Sequence, residues 1–243
     1  NAVVQTMHEE ALAAADAARR NGQVAVFALD YETGALIEPV ARHAAASEVA
    51  EARQSARGTV WLFAEAHWLT RDEADRWLLT GVDYGAPAGC VRGKPALTEV
   101  AYAETLQRIR QAIADGEVYQ INYTFPIPLS IYGDPARVFR DLAMAQPTAH
   151  AVYIDMPECQ VLSLSPELFF SVAQDRITVR PMKGTAPRLS DLDADRAQSD
   201  QLRASPKNRA ENLMIVDLLR NDLGRVAVPG SVRAEALFDV ESY

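Results

Sequence analysis

Residues 163–188, S-L-S-P-E-L-F-F-S-V-A-Q-D-R-I-T-V-R-P-M-K-G-T-A-P-R, place the tightest constraint on what this chain can fold into. Two short runs rich in β-branched and aromatic residues flank the polar Ala173-Gln174-Asp175-Arg176. Pro166 and Pro181 stand near the outer ends, where a ladder tolerates a missing N–H. The pattern predicts a β-hairpin. With a register symmetric about Asp175, Glu167 and Lys183 would face each other, their Cβ atoms about 5 Å apart. Such a pair has two readings: a cross-strand ion pair at the surface, or a carboxyl acid/base facing a nucleophilic amine. Gly184-Thr185 favours the second, because glycine lets backbone approach a ligand closely and threonine brings a hydroxyl.

Extended and helical patterns alternate around this hairpin. Val4, Met7, Ala11, Leu12, Ala15 and Ala18 follow helical spacing up to Asn21-Gly22, predicting an N-terminal helix. Strands are expected over 24–29 and 59–64, with an alanine-rich helix over 44–56 between them. Thr70 and Glu73 have capping-box spacing, so a helix should run on to about 79. Trp61, Trp68 and Trp77 read as packing residues. Glycines and prolines over 81–95 mark a connector. Thr98 caps a helix that ends at Asp115-Gly116, and a strand is expected from Val118, with Gln120, Asn122 and Thr124 on one face. Asp134-Pro135 opens a helix to about 144, and strands are expected over 149–154 and 160–164. The acidic stretch 189–204 reads as a solvated loop and helix face, since it lacks the glycine and closing glutamate of a calcium loop. Ser205-Pro206 starts a helix to about 223, ending at Gly224, where Arg220-Asn221-Asp222 reads as a helix-end network; a last strand is expected over 231–237.

Four motifs occur in order: G-E-V-Y-Q-I-N-Y-T (116–124), S-P-E-L-F (165–169), R-P-M-K-G-T-A-P-R (180–188) and K-N-R-A-E-N-L-M-I-V-D-L-L-R-N-D-L-G-R (207–225). Together they resemble the chorismate-utilising enzymes, a family that includes anthranilate synthase component I, isochorismate synthase and salicylate synthase. The resemblance is close over 97–243 and loose over 1–96. It implies an α+β fold of the anthranilate synthase component I type, two packed antiparallel sheets with flanking helices and the site between them. On that view 1–96 is an N-terminal α/β portion and 97–243 the first part of a chorismate-binding catalytic domain. The family's second metal carboxylate and the residues that hold the chorismate carboxylates would follow Tyr243. The sequence is therefore expected to be an incomplete portion, inactive by itself.

The resemblance also implies roles. The Lys183 amine would attack C2 of chorismate as the 4-hydroxyl leaves, with Glu167 protonating the departing oxygen. Gly184 and Thr185 would approach the ring, and Glu211 would be a ligand of a catalytic Mg2+. Ammonia from a glutaminase subunit would then enter at C4 and expel the lysine, giving 4-amino-4-deoxychorismate on the route to 4-aminobenzoate and folate. Lys183 stands where the anthranilate-forming branch has alanine. Gln120 stands where the water-adding branch has a general-base lysine, and glutamine cannot act as a base near neutral pH. Anthranilate formation is the nearest alternative. A non-catalytic binding or regulatory remnant is a further one, but it would predict degraded motifs, whereas Glu167, Lys183 and Glu211 are intact.

Charge limits the partners. A net charge of −9 argues against a nucleic-acid surface or a polybasic membrane patch, and an anionic substrate would need a locally positive site. No apolar run approaches the roughly 18 residues of a membrane span, and no signal peptide opens the chain, so a soluble cytoplasmic protein is expected. Cys90 and Cys159 lack C-x-x-C spacing and read as two buried free thiols. His8, His43, His67 and His150 form no metal-ligand pattern.

Overall fold

A computed structural model describes residues 2–6, 8–31, 33, 58–83, 85–156 and 159–242. Its secondary structure is mixed, with helices set among antiparallel ladders, which is an α+β organisation. The chain divides into two compact units, residues 1–74 and 75–243. Among the described residues no helix is long and apolar enough to cross a membrane.

In the first unit β1 (Ala2–Thr6), β2 (Val24–Leu29) and β3 (Gly58–Phe63) form an antiparallel sheet in the order β1-β3-β2. Helix α1 (His8–Arg20) packs on β2 and β3. Its Ala11 and Ala18, seven residues apart and so on one face, are buried, as are Val60 and Trp61 of the central strand. Arg19 and Arg20 occupy the last turn, where cations favour the helix dipole, and Gly22 at φ +72° takes the left-handed conformation that turns the chain into β2. The helix expected from Val4 therefore begins four residues later. Val4 pairs with Val60 in a ladder, and that long-range pairing overrides the local helical spacing. The helix expected over 44–56 lies outside the described residues.

Helix α2 (Arg71–Leu78) starts with the expected capping box. The Thr70 N–H and hydroxyl donate to Glu73 Oε2 at 2.8 and 2.7 Å, and the Glu73 N–H returns to Thr70 Oγ1 at 3.4 Å. These bonds hold the Glu73 carboxyl below the usual range.

The second unit contains β4 (Gly89–Arg92) paired with β5 (Leu129–Tyr132), and β6 (His150–Asp155) paired with β7 (Gln160–Ser165). Helix α3 (Glu99–Ala114) is capped by Thr98, whose hydroxyl accepts from the Ala101 N–H at 3.2 Å. Helix α4 (Pro135–Ala145) is capped by Asp134, with proline in its first turn. Its Ala136, Val138 and Phe139 are buried, and the Phe139 ring stacks on Tyr153 of β6 at 5.5 Å. Arg140 of the same helix grips Asp75 at 2.8 and 3.4 Å.

Several expectations need correction. The stretch from Val118 forms no ladder among the described residues, because alternation orders side chains but supplies no partner strand. Tyr123 and Phe125 turn back instead onto Tyr102 of α3, with ring centroids 5.8 Å from it. Residues 231–237 are likewise irregular, and the connector over 81–95 contains β4. Cys90 and Cys159 are exposed rather than buried. Of the tryptophans only Trp61 packs into a core; Trp68 and Trp77 are 98% and 69% exposed.

Candidate functional site

Strands β8 (Leu168–Ala173) and β9 (Arg176–Arg180) form the expected hairpin. Its register differs. Ala173 pairs with Arg176 across a two-residue turn in which Gln174 takes φ +54°, so the ladder is not centred on Asp175. A further irregularity between Leu168 and Ser171 brings Leu168 opposite Arg180. Pro181 then has no N–H with which to continue the ladder. Glu167 and Lys183 consequently lie beyond the paired segment and are not directly opposed, which corrects the cross-strand expectation.

A different contact joins the two. The Met182 N–H donates to Glu167 Oε1 at 3.0 Å, which ties the carboxylate to the peptide immediately before Lys183. Ser165 steadies Glu167 from behind, its hydroxyl donating to the Glu167 carbonyl at 3.2 Å and accepting from the Glu167 N–H at 3.3 Å. Glu167 is exposed and Lys183 half-buried.

Lys183, Gly184 and Thr185 line a cavity of 360 Å³. Other walls come from α5 (Leu192–Ala204), α6 (Pro206–Gly224) and residues 238–242. Five Arg or Lys side chains (Arg180, Lys183, Arg188, Arg203 and Arg209) line it against the three acids Asp195, Asp239 and Glu241. The cavity is therefore locally positive in a chain of net charge −9. Asp191 caps α5, accepting from the Ala194 N–H at 2.8 Å, and Ser205 caps α6. Asp195 closes the 181–190 loop onto α5, accepting from Arg188 Nε at 3.0 Å and from the Leu189 N–H at 2.8 Å. The Arg188 guanidinium, helped by that N–H, holds the Asp195 carboxyl below the usual carboxylate range.

Glu211 sits on α6, 3.9 Å from Lys207 one turn earlier. Neither Glu211, Glu167 nor Gln120 is among the residues lining the cavity. Among the described residues no group of three or more His, Cys, Asp or Glu converges. Magnesium typically takes one or two carboxylates with water and substrate oxygens. Glu211 is a single carboxylate, and the described residues complete no metal site around it.

Sequence reasoning missed two parts of the wall. The first is Asn208, Arg209 and Asn212 of α6; the i,i+4 spacing of Asn208 and Asn212 was the available signal, since it puts two amides on one helix face. The second is the segment 238–242. Arg209 stacks over the Phe238 ring at 3.9 Å, Asn212 Nδ2 donates to the Leu237 carbonyl, and Arg180 pairs with Glu241. No local pattern marks these contacts.

Lys183, Gly184 and Thr185 thus line a locally positive cavity. Residues 1–243 match the family described as chorismate binding enzyme. The chain belongs to that family. Within it, 142 residues are 46% identical to aminodeoxychorismate synthase component 1 of Klebsiella aerogenes, covering 58% of this chain and 32% of that protein. The protein of the same name from Escherichia coli K12 is 40% identical over 147 residues, 60% of this chain and 32% of that one. Anthranilate synthase component 1 of Aquifex aeolicus is 34% identical over 146 residues, 60% of this chain and 30% of that one. The matched stretch spans about a third of the length of these relatives.

Proposed function

We propose that this chorismate-binding family member belongs to an aminodeoxychorismate synthase component I, which converts chorismate and ammonia to 4-amino-4-deoxychorismate for 4-aminobenzoate and folate synthesis. The observation that carries the reading is Lys183, a half-buried amine lining a positive cavity next to a glycine whose backbone is left-handed. The higher identity to relatives of that name than to the anthranilate synthase supports it.

In this reading the Lys183 amine bonds to C2 of chorismate, both conjugated ring double bonds shift, and the C4–O bond breaks. Glu167 gives its proton to the departing hydroxyl, which leaves as water. Ammonia then bonds to C4, both double bonds shift back, and the lysine leaves C2 as a free amine, while one proton of the incoming ammonia returns to Glu167. The cationic lining attracts the dicarboxylate substrate, and Gly184 and Thr185 border the ring. Magnesium, for which Glu211 offers one oxygen ligand, would neutralise a carboxylate of chorismate. A glutaminase subunit supplies the ammonia, the complete protein has the two-sheet anthranilate synthase component I fold, and the reaction takes place in the cytoplasm.

A product assay tests the reading on the full-length protein with chorismate, Mg2+ and an ammonium salt, for wild type and Lys183→Ala. Aminodeoxychorismate from wild type and none from the variant is the expected result. Anthranilate from wild type would place the protein in the neighbouring branch and overturn the role of Lys183.

A further inference from the structure

Gly184 takes φ +80°, a left-handed conformation that a side chain strains. It also has no room for one. A Cβ at this position would lie 2.8 Å from Asn208 Cγ and 3.1 Å from both Nδ2 and Oδ1. Near-equal distances to the nitrogen and oxygen, with the carbon closest, mean that the Asn208 amide lies face-on against Gly184. Glycine thus suits the turn, and a side chain at 184 would in addition require the Asn208 amide to move.

The Asn208 backbone is held in place. It lies in the first turn of α6, where the Ser205 cap accepts its backbone N–H at 3.4 Å. Its side chain is half-buried, lines the cavity, and makes no hydrogen bond among the described residues. What the side chain touches is the backbone next to Lys183. The same turn of helix leads to Glu211, three residues further on, so Asn208 joins the lysine loop to the helix that carries the metal-ligand candidate.

Resting on the function proposed above, we infer that Asn208 is a positioning residue for Lys183. Its planar amide is the stop against which the Lys183-Gly184-Thr185 loop seats, and that seat sets how far the Lys183 amine enters the cavity. A planar group of the same shape at position 208 can serve, whereas a methyl cannot.

The test uses full-length protein. Asn208→Ala is expected to lower kcat for amination about 10-fold or more with little change in KM, because misplacing a reacting group mainly costs rate. Asn208→Asp, which keeps the flat shape, is expected to recover most of the loss. Gly184→Ala should be costly in the wild type and less costly in the Asn208→Ala background, where only the backbone strain remains; a double-mutant cycle reads this coupling. Reductive 13C-methylation supplies a readout that needs no turnover: the Lys183 signal, assigned by its loss in Lys183→Arg, should shift in Asn208→Ala and return towards its original position in Asn208→Asp. Far-UV circular dichroism confirms that each variant is folded. An unchanged kcat in Asn208→Ala, additive costs in the cycle, or an unmoved Lys183 signal would each overturn the inference. If wild type gives no aminated product, the proposed function fails, and the 13C signal alone decides whether the contact positions the lysine.

Discussion

Asp195 shows what one carboxylate does for the loop that carries Lys183. It accepts from Arg188 and from the Leu189 N–H, so its charged form is favoured in the folded chain and its carboxyl is held below the usual range. A carboxyl lowered by folding stabilises the folded state above its unfolded value and loses that contribution as pH falls through the lowered folded value. The stability difference between wild type and Asp195→Asn should therefore be complete at neutral pH and close as pH drops below about 4. Urea denaturation of both proteins at several acidic pH values checks this; a gap that stays constant with pH would show that the charge of Asp195 contributes nothing. The aspartate spacing in 189–204 is legible as a solvated acidic face, but the tie to Arg188 is not, since only the fold of the loop brings Asp195 under Leu189. Glu167 teaches the same lesson. Its place in S-P-E-L-F is visible in the sequence, and its bond to the Met182 N–H depends on a ladder irregularity that no local pattern announces.

Caps and turns were legible because they depend on residues a few positions apart. Thr70 with Glu73, Thr98, Asp134-Pro135 and Ser205-Pro206 all open helices where their patterns place them. Strands were less legible. The segments at 150–155 and 160–165 found each other, whereas the alternating stretch from Val118 found no partner among the described residues. Helix α4 anchors the packing of its surroundings: Phe139 is 6% exposed and stacks on Tyr153. Phe139→Ala is expected to cost about 3 kcal/mol or more, since the vacated space cannot fully collapse. Chemical denaturation measures that loss, and a cost under about 1 kcal/mol would mean that the neighbouring strand relaxes to fill the site. Tyr153 lies on the other side of that contact, its hydroxyl pKa raised chiefly by burial, with Asp155 and Asp134 adding to the effect.

Across the whole molecule, charge is unevenly placed. A chain of net −9 keeps a cavity with five cationic side chains against three acids. If the proposed function holds, attraction of the dicarboxylate substrate to such a site is screened by salt, so the KM for chorismate of the full-length protein should rise as ionic strength is raised from about 0.05 to about 0.5 M, with kcat much less affected. Steady-state kinetics at several salt concentrations check this; a KM insensitive to salt would mean that the cationic lining does not draw in the substrate. The sequence by itself determined the capped helix starts at Thr70, Thr98, Asp134 and Ser205, the hairpin and the ordered motifs that mark the family, because each is written in residues close along the chain. Only the tertiary structure decided the hairpin register, the loss of the Glu167–Lys183 opposition, the seat of Gly184 against Asn208, and the wall formed by 238–242. Those depend on contacts between residues distant in sequence, whose energies come from packing and pairing that no short window of the chain contains.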